Sequence, residues 1–358
     1  MQLEQLKNKQ TNLWLKKWQS LKKHPFFGVF VAAIVMVLIQ VLGTLGLIES
    51  NIVENLAKLW IYIIVGLGFT LLLGYAGLAS LGTAGFIGLG SYSIAFFLGK
   101  LGLPFFISFI IGIMIAILAG SIVGFISLRI EGMYLAIITL GLSEILVEFF
   151  KNATYFTGGN ITNNIERFNV FGIEMVEQQF YYILVLALVL TMLAVLNIVD
   201  SPTGRAMLSI KNSTSAAQAM GISVLKYRLL TFVIATVLAV IAGMLIMGYE
   251  RSTYPDKWGL AISLNILAAV VIGGAKSIWG VGLGTFLIFS FDQLVLKRIA
   301  FFQTYGNASY IINGILIIVI VMYYPGGLIR LFKDLKVLIA KAFSKGQLWL
   351  KEYRYGKD

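Results

Sequence analysis

The chain contains no cysteine and a single histidine, His24, and its Asp and Glu total 16 against 28 Lys and Arg. The first absence excludes a disulfide framework, a thiolate nucleophile and any thiolate-held metal. The second leaves no histidine pair for a metal and no imidazole base within the apolar part of the chain, because His24 precedes the first apolar run. Charged residues of both signs make up only 12% of the sequence, against about 25% in a soluble globular domain, so a soluble fold is excluded as well. No glycine run ends in the Gly-Lys-Ser/Thr of a phosphate-binding loop, and the chain is therefore not expected to hydrolyse ATP itself. No catalytic residue, metal site or chain-bound cofactor is expected.

What the sequence does hold is apolar: 59% hydrophobic residues, 13% aromatics and a mean hydropathy of +0.89. The apolar runs are unbroken, unlike the alternation of an outer-membrane barrel, and the fold expected is an all-α, polytopic membrane protein. With about 17 to 25 apolar residues per crossing, spans are expected near 25–48, 58–78, 83–99, 104–128, 131–150, 180–199, 227–249, 260–275, 281–296 and 310–324, about ten in all. Residues 1–24 form a basic tail, too long and too basic for a signal peptide, 25–328 the membrane domain and 329–358 a second basic tail.

An even number of crossings puts both ends on one side. If that side is the cytoplasm, it receives the lysines of the first tail, Arg129, Arg205, Lys211, Lys226, Arg228, Lys276 and the basic residues after position 325. The positive-inside rule selects this orientation, with both termini cytoplasmic. The net charge of +12 then reports topology and not a nucleic-acid partner. The last tail has apolar residues at helical spacing among its lysines. It reads equally as an amphipathic helix on anionic lipid or as a solvated tail.

Residues 204–228, GRAMLSIKNSTSAAQAMGISVLKYR, interrupt the apolar pattern with a polar, small and basic stretch, and no acid stands between Asp200 and Glu250. Asn212 or Ser213 is placed to cap a helix and Gly221 to end it, with about two turns between them. Ala216, Ala217 and Ala219 would bring backbone to the surface of this cytoplasmic elbow, and upstream Ala206 and Ile210 would share a helix face. Glycine gathers in two further runs, 74–92 and 270–286, which read either as helix breaks inside the membrane or as close helix contacts.

Several of these stretches, in this order, resemble the permease subunits of ATP-binding-cassette importers for branched-chain amino acids. GRAMLSIKNSTSAAQAMGISVLKYR resembles the stretch that docks the ATPase in that family, GYAGLASLGTAGFIGLGSY its second-to-third span turn and LRIEGMYLAIITLGLSEIL its fifth span. TGGNI resembles the start of its outer loop, LNILAAVVIGGAKSIWGVGLGTF its eighth-to-ninth turn and YYPGGLI its C-terminal end. Together they cover most of residues 60–328.

The resemblance implies a type II importer fold of two halves related by an approximate two-fold axis, in a bacterial plasma membrane. It implies ATPase coupling through Gly204, Arg205, Ile210, Lys211, Ala216, Ala217, Ala219, Met220 and Gly221. It implies a translocation path drawing on Ser80, Thr83, Tyr92, Tyr134, Thr139, Glu144 and Asn265, and an outer loop marked by Thr157, Gly158, Gly159 and Asn160. The partners implied are cytoplasmic ATPase subunits that use ATP and Mg, a second related permease, an extracytoplasmic substrate-binding protein and membrane lipid.

The sequence departs from the family at Thr83, where a histidine is usual, at Val147, where an arginine often follows the acid at 144, and in the neutral Asn212, Thr214 and Gln218 of the elbow. Glu144 and Glu148 share a face of the fifth span. An acid near a helix centre costs on the order of 3 kcal/mol, so it faces a bundle or water. Glu144 either lines the path or bonds Ser143, Thr139 or a neighbouring helix, and Asn265, Asp292, Gln293 and Asn313 pose the same choice. Related permeases carry nucleosides, urea or sugars, and an ATPase-independent secondary transporter is the alternative from outside the family.

Overall fold

The computed structural model describes residues 26–127, 133–170, 173–299, 306–324, 326–331 and 334. The first tail, Arg129 and nearly all of the last tail lie outside these residues, as does the side chain of Asn313. The α-helices of six residues or more are numbered in chain order: α1 (Phe27–Thr44), α2 (Ser50–Phe69), α3 (Thr83–Ile94), α4 (Phe105–Ser127), α5 (Met133–Asn152), α6 (Glu177–Asp200), α7 (Pro202–Asn212), α8 (Thr214–Ala219), α9 (Val224–Glu250), α10 (Leu260–Gly273), α11 (Ile278–Thr285) and α12 (Gly306–Tyr323).

Seven helical stretches among the described residues are long and apolar enough to cross a membrane: Phe27–Thr44, Ser50–Tyr75, Phe105–Ser127, Glu177–Asp200, Val224–Glu250, Pro255–Gly273 and Ile278–Arg298. Helices also stand at α3, α5 and α12, where three further crossings are expected. The chain is an all-α polytopic membrane protein.

In lipid the apolar surface of a helix gains little by leaving its surroundings, so helices associate through close packing of small residues and interhelical hydrogen bonds. α4 shows the rule. Ser108, Gly112, Ala116, Gly120 and Gly124 recur every fourth position and form its buried face. That face is laid along α9: β-carbons on Gly112, Gly120 and Gly124 would meet Met244, Thr236 and Phe232. The opposite face, with Ile110, Met114, Leu118 and Ile122, is exposed as a lipid-facing side would be. α9 also crosses α3, which is buried along its whole length.

The two glycine runs prove to be both breaks and contacts. α2 continues as a π-helical turn over Thr70–Tyr75, the chain is non-helical over 76–82, and α3 begins at Thr83. α10 stops at Gly273 and α11 starts at Ile278. Although these breaks lie some 200 residues apart in the chain, they meet: a β-carbon on Gly74 would stand 1.9 Å from the Ala275 carbonyl oxygen, and the Tyr75 hydroxyl donates to the Lys276 carbonyl at 3.4 Å, with 201 positions between them. This is the break end of the bundle.

The other end carries two small strand pairs, Asn163–Asn164 with Ser252–Thr253 and Asn169–Val170 with Ile173–Glu174. The described ion pairs gather there, among them Arg251 with Glu177 (3.2 Å), Lys58 with Glu250 (3.4 Å), Lys151 with Asp256 (3.1 Å) and Arg298 with Glu49 (2.9 Å). The ends thus differ chemically. One has backbone breaks and basic residues, the other paired charge.

Candidate functional site

The elbow at the break end is built from two short helices. Ser201 caps α7, its hydroxyl accepting from the amides of Thr203 and Gly204 at 3.1 and 3.4 Å, with Pro202 at the first helical position. Gly204, Ala206, Met207 and Ile210 form the buried face, which holds α7 against the bundle. Arg205 is exposed and donates to the Asp200 carbonyl at 3.1 Å. Ser213 caps α8, accepting from the Ala216 amide at 3.3 Å, whereas Asn212 ends α7.

Gly221 ends the elbow helix with φ +79, a value that suits glycine alone among unstrained residues. The Gly221 and Ile222 amides return to the Gln218 and Ala217 carbonyls at 2.9 and 3.0 Å, the pairing of a Schellman cap. Ala217 is the buried anchor of α8. Ala216, Ala219, Met220 and Gly221 are exposed, and the Met220 residue is 84% exposed. The outcome is a small apolar knob on a capped, rigid turn. Lys211 faces the other way: its Nζ donates to the carbonyls of Leu73 and Gly74 at 2.8 and 2.9 Å.

The seven path candidates fall into two groups. Ser80, Thr83, Tyr92 and Thr139 are buried within the subunit. There, side-chain hydroxyls take the place of backbone partners around the start of α3: Thr139 accepts from the Leu81 amide (2.9 Å), Ser263 from Ala84 (3.0 Å) and Ser143 from Gly85 (3.2 Å). Ser80 accepts from the Gly82 amide at 3.3 Å. Ser80 and Thr83 also line a cavity of about 20 Å³ with Phe69, Phe232 and Thr236, room for one water and not for a solute. Tyr92 tilts against Phe150, with ring centroids 4.7 Å apart.

Tyr134, Glu144 and Asn265 form the second group, exposed on α5 and α10. These two helices flank α3, each reaching its first turn through the hydroxyls just named. Glu144 has no hydrogen-bond or ion-pair partner among the described residues, and the neighbouring Thr139 and Ser143 hydroxyls instead accept from the Leu81 and Gly85 amides. Next to it on the helix, Gly141 opens onto empty space. Glu148, one turn on, instead pairs with Lys151 at 3.2 Å.

The outer-loop candidates make a structural turn. Thr157 is buried and donates to the Phe150 carbonyl, Gly158 and Gly159 adopt φ +74 and +79, and Asn163 donates to the Thr157 carbonyl. Only Asn160 of the four is exposed. Sequence reasoning passed over a charged depression of about 450 Å³ at this end, lined by Glu54, Lys58, Glu177, Tyr249, Glu250 and Lys257 among others. Its signal is acids and lysines at the ends of different spans, which read as topology when taken one loop at a time.

Residues 51–321 match the family described as branched-chain amino acid transport system / permease component. The chain is 29% identical over 326 residues to the high-affinity branched-chain amino acid transport system permease protein LivM of Escherichia coli, covering 84% of this chain and 75% of the relative. It is 29% identical to the Salmonella typhimurium protein of the same description, over 79% of this chain and 71% of the relative. The ribose import permease protein RbsC of Haemophilus influenzae is 24% identical over 80% of this chain and 91% of its own length. No solved structure matches the chain. The matched stretch runs from α2 through the elbow into α12, and the chain belongs to the branched-chain amino acid transport system permease family.

Proposed function

We propose that this chain is a permease subunit of an ATP-binding-cassette importer for branched-chain or other hydrophobic amino acids, supplying half of a translocation path. The observation that carries this reading is the exposed Met220 knob on a capped elbow at the end where both broken spans meet. An ATPase subunit, using ATP and Mg, docks on that knob in the cytoplasm. Its closure moves the elbow as a rigid body and switches the spans between inward and outward access.

The path runs along the outward faces of α5 and α10, past Tyr134, Glu144 and Asn265, and a second, related permease closes it. Supporting this, an unpartnered acid in the middle of an apolar helix is costly against lipid, so its face needs protein or water in front of it. A substrate-binding protein delivers the solute at the strand-paired end, where the charged depression and Asn160 lie. Both termini are cytoplasmic in this arrangement.

The ribose and autoinducer 2 import permeases among the relatives favour a second reading, in which the same machinery carries a sugar-like solute. Uptake into vesicles holding the chain with its ATPase, second permease and binding protein separates the two. Labelled leucine taken up in an ATP-dependent way supports the first. ATP-dependent uptake of ribose without leucine supports the second, and uptake by this chain alone on an ion gradient removes both.

A further inference from the structure

The end of α2 raises an accounting problem. Helices leave their last carbonyls without backbone donors, and these need partners when they are not in water. The amides of Ala76 and Leu78 turn back to Leu71 and Leu72 at 3.0 and 2.9 Å. The next two carbonyls, of Leu73 and Gly74, accept from the Lys211 ammonium at 2.8 and 2.9 Å, across 138 and 137 positions of chain. A cation is favoured at this pole of a helix, where the carbonyl dipoles leave partial negative charge.

The lysine stem is held as well as its head. It lies across Gly77, where a β-carbon would stand 3.1 Å from Lys211 Cγ. Lys211 is exposed as a residue, yet partial burial of its ammonium, and secondly the like charge of Lys276, lowers its pKa from the usual lysine value. The same turn abuts the second break, through Gly74 against Ala275 and Tyr75 with Lys276. The resemblance places Lys211 among the residues offered to the ATPase, and in the structure its ammonium is bonded to the end of α2 while the residue stays exposed.

We propose that Lys211 is a positioning residue that fastens the elbow to the break end of α2, so that the elbow and the two helix breaks move as one body. This rests on the reading of the elbow as the ATPase dock. Without the pin, α7 and α8 would be joined to the spans by their flanking chain, by the buried face of α7, by Ala217 and by the Arg228 bond to Thr214 at 3.4 Å, none of them a hydrogen bond to the end of α2. Part of their displacement would then be absorbed before it reached the breaks.

The absence of cysteine makes the test direct. An ideal β-carbon at position 77 lies 3.6 Å from Lys211 Cβ, within the roughly 3.5–4.5 Å that a disulfide spans. Gly77 has φ +71, which a cysteine adopts only with strain. Gly77→Cys alone is therefore the baseline against which Gly77→Cys with Lys211→Cys is read, the double variant replacing the ionic pin with one that ferricyanide closes and dithiothreitol opens. In the complete transporter in liposomes, solute uptake per ATP hydrolysed is measured in both states of the same protein.

The reduced state should keep its ATPase and its hydrolysis but lose roughly tenfold in uptake per ATP, a typical size for coupling between sites. Closing the disulfide should restore the native ratio. Lys211→Arg should behave as native, because a guanidinium reaches the same carbonyls. Equal ratios in the reduced and oxidised states overturn the pin, as does native uptake per ATP in Lys211→Met with its ATPase bound, the readout that decides if strain at position 77 keeps the disulfide open. Detachment of the ATPase from Lys211→Met also overturns it, by making the lysine a docking contact. If the unaltered chain does not hold the ATPase, the elbow reading itself is what has failed.

Discussion

Gly243 of α9 lies so close to Ile87 of α3 that a β-carbon on the glycine would stand 1.9 Å from the Ile87 carbonyl oxygen. The Ser91 hydroxyl, one turn along α3, donates to the Gly243 carbonyl at 2.8 Å. This crossing joins the fully buried helix to the one that carries the elbow, so its spacing is set by backbone meeting backbone. Gly243→Ala must push the helices apart, at a cost of about 1–3 kcal/mol or more. Ser91→Ala removes one interhelical bond, worth about 0.6 kcal/mol on average in a membrane. Thermal unfolding in detergent should therefore show a larger fall in midpoint for Gly243→Ala than for Ser91→Ala.

The elbow offers a different contrast, between anchor and contact. Ala217 is buried and Met220 stands clear of the protein. Met220→Glu should leave the unfolding midpoint of the isolated chain unchanged, since exposed substitutions commonly shift stability by no more than about 0.5 kcal/mol. Burying a carboxylate in the ATPase groove should weaken that complex at least tenfold, equivalent to about 1.4 kcal/mol. Titration of labelled ATPase onto the reconstituted chain checks this. Ala217→Leu should do the reverse in order, failing first in stability.

Glu144→Gln separates the two readings of that acid. A structural carboxylate would have partners to lose, and among the described residues Glu144 has none, so the substitution should move stability by less than about 0.5 kcal/mol. Uptake by the assembled transporter should nevertheless fall, because a charge would be missing from the path face. Unchanged uptake in a folded, ATPase-bound complex would remove Glu144 from the path.

Much of this was legible in the residues. The elbow's caps were readable because Ser213 and Gly221 answer local needs, an orphan amide and a left-handed turn, that do not depend on the rest of the fold. The seam of α4 on α9 was equally visible, since Ser108, Gly112, Ala116, Gly120 and Gly124 repeat at four-residue spacing. What could not be read were pairings across distance. Nothing local tells that Lys211 turns to Leu73, that Gly74 meets Ala275, or that Thr139 and Ser143 accept from the amides of Leu81 and Gly85. Four path candidates, Ser80, Thr83, Tyr92 and Thr139, are buried inside the subunit, and two of them, Ser80 and Thr139, spend their hydroxyls on amides beside the start of α3. The same chemistry, a hydroxyl in a membrane, serves both ends, and only geometry decides.

At the strand-paired end, Thr157 and Asn160 sit three residues apart in the turn that resembles the family's outer loop, and they should respond oppositely. The Thr157 hydroxyl is buried, donating to the Phe150 and Ala153 carbonyls and accepting from the Gly159 amide at 3.2 Å. Thr157→Val keeps the shape and strands those groups, which should cost about 1–3 kcal/mol for a buried group left unsatisfied. Asn160 is exposed, so Asn160→Ala should leave the unfolding midpoint where it is. If the substrate-binding protein seats on this turn, the second substitution should weaken its binding to the reconstituted transporter while the fold is untouched. Binding that survives Asn160→Ala but falls on charge reversal of Lys257 would move the seat into the charged depression. That depression is lined by Glu54, Glu177 and Glu250. Its contribution should also fade as salt is raised, because exposed charges are screened within about 8 Å at physiological ionic strength.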